Sequence, residues 1–239
     1  MKKFAVFDID GTLIRWQLYH AVVNRLGNMG VLDKEFAIET KDARRRWKNR
    51  QSDTTFQDYE YIFVKRWMEK MNQVPYKIYM KAVDEIIDEY IDQVYIYTRD
   101  LIKQLKKDGY FLLAISGSPN EMVEKIAEHY GFDDFIGANF LVGDNGYFTG
   151  ETNGPVLNKD TYLKKLVKKH NLSWTDSIAV GDTGSDIKML KLVEKPIAFN
   201  PNHELVTAAQ DNGWPIIIER KSVIYELNTN DWKIFNSKK

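Results

Sequence analysis

The chain has 239 residues, 44% hydrophobic and 28% charged, which suits one sizeable core or a core with a smaller partner and excludes a disordered chain. Its 34 acidic and 34 basic residues cancel, so no global charge draws it toward nucleic acid or an anionic membrane. Without cysteine there is no disulfide, thiolate nucleophile or thiolate metal site. The apolar run "FAVF" after "MKK" is too short for a secretory signal, and no stretch reaches the length of a membrane span, so the expected setting is cytoplasmic.

"KKFAVFDID" reads as a buried strand whose uninterrupted apolar run fits a parallel sheet covered on both faces. From Leu13 to about Tyr97 the texture is aromatic and helix-periodic. Gly27 and Gly30 are its only glycines, and breaks are expected near "GNMG", "QSDTT" and "NQVP". "TRDLIKQLKKDG" is an amphipathic helix ending at Gly109, and "YFLLAIS" a second apolar strand. "SPNEMVEKIAEHYG" is a helix closed by Gly131, and "LVGDNGYFTGE" carries the Asn-Gly of a hairpin. "NKDTYLKKLVKKHN" is a helix, "SIAVGD" a third strand ending in aspartate, and "KPIAFNP" and "WPIIIE" two more strands. Alternation of strands and helices after residue 97 implies an α/β fold around a parallel sheet.

In such a sheet, ligands gather at the carboxyl ends of the strands. Three strands end in polar groups: Asp8 and Asp10, then Ser116-Gly117-Ser118, then Asp182 with Asp186. Converging carboxylates repel one another unless a cation sits among them. Oxygen donors without cysteine or histidine favour a hard ion, and Mg²⁺ is the natural choice. Ser116 and Gly117 precede a helix start, a setting suited to phosphate. Lys159 could add a positive charge, although Lys164 or Lys165 could take that place. Together these groups describe phosphoryl transfer. Taken singly they have plainer readings: a D-x-D turn, an N-cap serine, a solvated face for Arg44, Arg45 and Arg46.

"DIDGT", "ISGS", Lys159 and "GDTGSD", in that order, resemble the four motifs of the haloacid dehalogenase superfamily of phosphohydrolases. The helical insert, "NGYFTGETNGPVLNKDTYLKKL" and "AFNPNHEL" resemble its phosphoserine-phosphatase-like (IB) branch. The resemblance implies a Rossmann-like core from residues 1–12 and 98–239 with an inserted helical C1 cap at 13–97. It implies Asp8 as nucleophile, Asp10 as acid and base, and Lys159 as the catalytic lysine. Mg²⁺ would be held by Asp8, the Asp10 carbonyl and Asp182, with Asp186 beside it. Thr12, Ser116, Gly117 and Ser118 would hold phosphate. The implied activity is hydrolysis of a small phosphorylated metabolite through an aspartyl-phosphate. Phosphoserine phosphatase proper, a phosphotransferase and a non-catalytic phosphometabolite binder are the alternatives. One departure bears on substrate. True phosphoserine phosphatases carry an ammonium-binding glutamate nine positions after the nucleophile, and this chain has Gln17. Gln17, Trp16, Tyr19 and Arg46 of the Arg44–Arg46 run are the candidates for substrate choice.

Overall fold

A computed structural model describes residues 1–49, 56–155 and 158–227. The expected break at "QSDTT" lies outside them except for the helix that follows. Along the chain the elements are β1 (Lys2–Phe7), α1 (Leu18–Asn28), α2 (Lys34–Lys48), α3 (Phe56–Lys70), α4 (Tyr76–Tyr90) and α5 (Ile96–Lys107). Next come β2 (Phe111–Pro119), α6 (Asn120–Tyr130), β3 (Asp134–Val142), β4 (Phe148–Asn153), α7 (Lys159–Lys169) and β5 (Leu172–Gly181). The series ends with α8 (Ile187–Leu190), β6 (Lys195–Phe199), α9 (His203–Asn212), β7 (Ile216–Arg220) and β8 (Val223–Leu227). Helix ends follow their local chemistry. Asp33 caps α2 by accepting from the Phe36 amide at 2.8 Å, and Gly131 closes α6 in the left-handed region at φ 71°.

The chain divides into two compact units, one of residues 1–16, 92–138 and 154–239, the other of 17–91 and 139–153. In the first, the strands run in the order β3-β2-β1-β5-β6-β7-β8. All neighbours are parallel except β7 and β8, which pair antiparallel. The parallel core matches the expectation; the antiparallel edge strand β8 was not read from the sequence. Phe4, Ala5, Val6 and Phe7 of β1 are fully buried, as a central strand requires. Helices α5 and α6 pack on β2, α7 on β2 and β5, and α9 on β6. Because β1 neighbours β2 on one side and β5 on the other, the strand order reverses there, and such a point opens a crevice at the carboxyl ends.

The second unit pairs α1 with α4 and α2 with α3 around Tyr59, Phe63, Trp67 and Tyr79, all buried. It starts at Gln17 rather than residue 13 and ends its first segment at Ile91 rather than 97. It also recruits the outer half of β3 with β4, an antiparallel pair that the helical reading had left out. The reason is aromatic packing: Phe148 of β4 sits edge-on to Tyr79 at 5.0 Å and to Trp67 at 6.2 Å.

Candidate active site

The first unit brings most of the expected residues together. Asp8 follows β1 directly, and its amide still donates to the Val180 carbonyl at 3.0 Å, so the ladder with β5 aims it past the sheet edge. The next residues turn tightly: the amides of Leu13 and Ile14 both donate to the Ile9 carbonyl at 2.9 Å. Gly11 makes this turn possible at φ +82°, and a Cβ there would lie 2.2 Å from Asp182 Oδ2. On the other side of the turn, Thr12 Oγ1 donates to Asp182 Oδ1 at 3.1 Å.

Lys159, at the start of α7, is 3% exposed and bridges two carboxylates, donating to Asp8 Oδ1 at 2.7 Å and Asp186 Oδ1 at 2.6 Å. Lys164 is instead exposed and faces Asp160. Asp186 is immobilised further by a capping box in Thr183–Asp186. Its Oδ2 accepts from the amides of Asp182 at 3.1 Å and Thr183 at 3.0 Å. Gly181 leaves room for this arrangement, since a Cβ there would lie 2.5 Å from the Asp186 side chain. Ser116, in the second half of β2, donates to Asp10 Oδ2 at 3.0 Å and accepts from the Ser118 amide at 3.0 Å. Ser116 and Ser118 are buried and Gly117 is half-buried.

One carboxylate oxygen from each of Asp8, Asp182 and Asp186 falls within 4.8 Å of the others. Three acids then share one lysine, leaving two negative charges in excess. Burial pushes the Asp8 carboxyl up to about 7 against the pull of Lys159, with Asp186 and Asp10 adding repulsion. Burial, then Asp8 and Asp186, raises Asp182 well above the usual carboxylate range. Burial opposes the Lys159 charge, but the attraction of Asp186 and Asp8 outweighs it and holds the ammonium protonated. A site where Asp8 and Asp182 hold on to protons and whose donors are all oxygen has the charge and chemistry to accept a divalent hard cation. Asp8 and Asp182 are the groups free to supply ligands; the two oxygens of Asp186 already serve Lys159 and the backbone. The Asp10 carboxylate lies with Ser116 and is not one of the three convergent acids.

Of the remaining candidates, Gln17, Tyr19 and Arg46 belong to the second unit and Trp16 to the first. Gln17 stands at the start of α1, and Arg46 is exposed and pairs with Asp42 at 3.3 Å. Tyr19, a candidate for substrate choice, packs among other rings: it stacks on Phe140 and meets Phe63 and Trp67 edge-on. Trp16 is half-buried and closes the first segment of the first unit. Thr183 was not singled out, although its T-x-x-D spacing to Asp186 is the written form of the capping box.

Comparison with known proteins agrees with this geometry. A family model described as haloacid dehalogenase-like hydrolase matches residues 5–191. A histidinol-phosphatase of Neisseria meningitidis serogroup C is 26% identical over 91% of this chain and 99% of its own length. A phosphoserine phosphatase of Methanocaldococcus jannaschii is 29% identical over 83% of this chain and 85% of its own. A solved phospho-aspartyl intermediate analogue of phosphoserine phosphatase superposes with a TM-score of 0.64 at 25% identity, covering 92% of this chain and 94% of that one. Matched from β1 through the Asp182–Asp186 loop, the chain belongs to the haloacid dehalogenase-like hydrolase family.

Proposed function

We propose that the protein hydrolyses a small phosphomonoester with Mg²⁺ through an aspartyl-phosphate on Asp8. One observation carries the reading: a buried aspartate held by a lysine at 2.7 Å, inside an acid cluster that needs a cation, beside a second acid held by serine. In the first step an Asp8 oxygen attacks phosphorus while the bond to the substrate's leaving oxygen breaks. Asp10 gives that oxygen its proton, and the carboxylate so formed then takes a proton from water attacking the aspartyl-phosphate. Phosphate leaves, and Asp8 and protonated Asp10 are restored. Lys159 orients Asp8 and offsets charge on the phosphoryl oxygens, and Ser116 fixes the Asp10 side chain. A bound Mg²⁺ would neutralise the excess charge around Asp8 and Asp182 and keep Asp8 ionised for attack.

The first unit would be the catalytic core domain and the second the inserted cap that selects the substrate. Phosphate and metal look alike in every phosphomonoester, so discrimination falls to groups that read the rest of the molecule. Gln17 lacks the carboxylate that pairs with an ammonium, which makes phosphoserine a poor substrate in this reading. A cytoplasmic setting is part of the same proposal. The test is turnover of p-nitrophenyl phosphate with and without Mg²⁺, then a panel containing phosphoserine, histidinol phosphate and sugar phosphates. Metal-dependent turnover that vanishes in Asp8→Asn supports the reading; turnover retained by that variant sinks it. A lead for phosphoserine by orders of magnitude overturns the role given to Gln17.

A further inference from the structure

We infer that Thr98 is a positioning residue for the catalytic loop. Its hydroxyl, carried by the first turn of α5, fixes the Thr12 carbonyl and so sets Thr12 against Asp182. This deepens the phosphatase reading and rests on it for its kinetic readout. Thr98 is fully buried, and its Oγ1 donates to the Thr12 carbonyl at 2.9 Å across 86 residues of sequence. A threonine in a first helical turn ordinarily bonds back to its own helix. Here that local alternative, the Tyr95 carbonyl, is the longer contact at 3.5 Å. Thr12 is therefore gripped at both ends, its carbonyl by Thr98 and its hydroxyl by Asp182.

The mount that carries Thr98 is itself fixed. Tyr95 stands at the N-cap of α5 and offers no side-chain acceptor, so the first amides of the helix need one from elsewhere. Glu219 of β7 supplies it: its carboxylate accepts from the Ile96 amide at 3.1 Å and the Tyr97 amide at 2.9 Å. The Glu219 amide in turn donates to Asn200 Oδ1 at 2.9 Å. The Tyr95 amide donates to the Leu13 carbonyl, also at 2.9 Å, so helix and loop are joined twice. A hydroxyl on so constrained a support holds the loop in place, and a misplacement of about 1 Å can slow a reaction by about 10²-fold.

The test compares Thr98→Val, which keeps shape and branching but loses the donor, with Thr98→Ser, which keeps the donor. In the full-length protein, kcat and KM for p-nitrophenyl phosphate are measured with Mg²⁺, and Mg²⁺ affinity is measured by calorimetry without substrate. Thr98→Val should lose at least about tenfold in kcat with KM within about twofold, and bind Mg²⁺ at least about threefold more weakly. Thr98→Ser should restore both to within about twofold of wild type. Unchanged kcat and affinity in Thr98→Val, or failure of serine to restore them, overturns the inference. If Thr98→Val does not fold, Thr98→Ala is read the same way; if neither folds, the role is structural and the inference is wrong. A wild type that binds Mg²⁺ without turning over substrate sinks the phosphatase reading alone, and calorimetry then decides the role of Thr98. A wild type that binds no Mg²⁺ overturns both.

Discussion

Replacing Lys159 by methionine keeps most of the buried stem and deletes the cation that bridges Asp8 and Asp186. Both ion pairs, at 2.7 and 2.6 Å, are lost together, and among the described residues the three acids keep no ion pair with a cation. Removing one partner of a buried pair costs about 3–5 kcal/mol. For a chain of this size, about 2–4 °C per kcal/mol converts that to a melting point lower by about 6–20 °C in EDTA. The loss must depend on pH. Asp8 already titrates near 7 with Lys159 present, and removing the lysine moves it higher. A carboxyl raised in the fold takes up more protons there than in the unfolded chain. Its destabilisation therefore grows as pH rises from the unfolded value near 4 through the folded one, at most about 1.4 kcal/mol per pH unit. Thermal melts of both proteins at pH 5 and pH 8, in EDTA and again in Mg²⁺, check this. The deficit should be larger at pH 8 and should shrink when the metal is added. A variant that melts within about 2 °C of wild type at pH 8 in EDTA, or shows the same deficit at both pH values, refutes the charge argument.

Gly11→Ala forces a side chain into a left-handed conformation and against Asp182, so a loss of about 1–3 kcal/mol is expected in urea unfolding, with weaker Mg²⁺ binding in calorimetry. Asp10→Asn should slow turnover by about 10²–10⁴-fold for alkyl phosphates and less for p-nitrophenyl phosphate, whose leaving group needs little proton assistance. Equal losses for the two substrates would reduce Asp10 to a loop-shaping role. His20, 1% exposed among Tyr19, Phe56, Tyr59 and Phe63, is pushed down to about 3 by burial and the nearby Arg44 charge. The unfolded chain then binds the extra proton, so stability is full above about pH 6.5 and falls by about 1.4 kcal/mol per unit below it. His20→Phe should flatten that slope between pH 6 and pH 4 in chemical denaturation; an unchanged slope assigns the acid sensitivity elsewhere.

Most of the first unit was legible because its information is local. An apolar run such as "FAVF" followed by acids specifies both a central strand and what stands at its end, and Asp8, Asp10 and Asp182 sit just past the ends of β1 and β5 as that pattern places them. The motif resemblance names Lys159 and leaves Lys164 and Lys165 open, and position along α7 separates the lysine between Asp8 and Asp186 from Lys164 in solvent. What could not be read depends on pairs far apart in sequence. Phe148 joins Trp67 and Tyr79 in the second unit, and nothing in "GYFTG" distinguishes that strand from one in the main sheet. Thr98 looks like any threonine at a helix start until the Thr12 carbonyl is seen beside it.

The place of β1 in the strand order has a consequence during synthesis. Of the strands in this sheet it is translated first, yet its partners β2 and β5 begin only at Phe111 and Leu172. At about 5–20 residues per second, roughly 8–30 seconds pass between translation of β1 and of β5. Through that interval "FAVF" is an apolar segment with at most one of its two edges covered. The aromatic helices translated in between cannot complete their own packing until Phe148 arrives with β4. Each unit thus waits for a segment translated well after its first element, and β1, the strand that leads into Asp8, is the one of this sheet that a nascent-chain chaperone has the longest opportunity to hold.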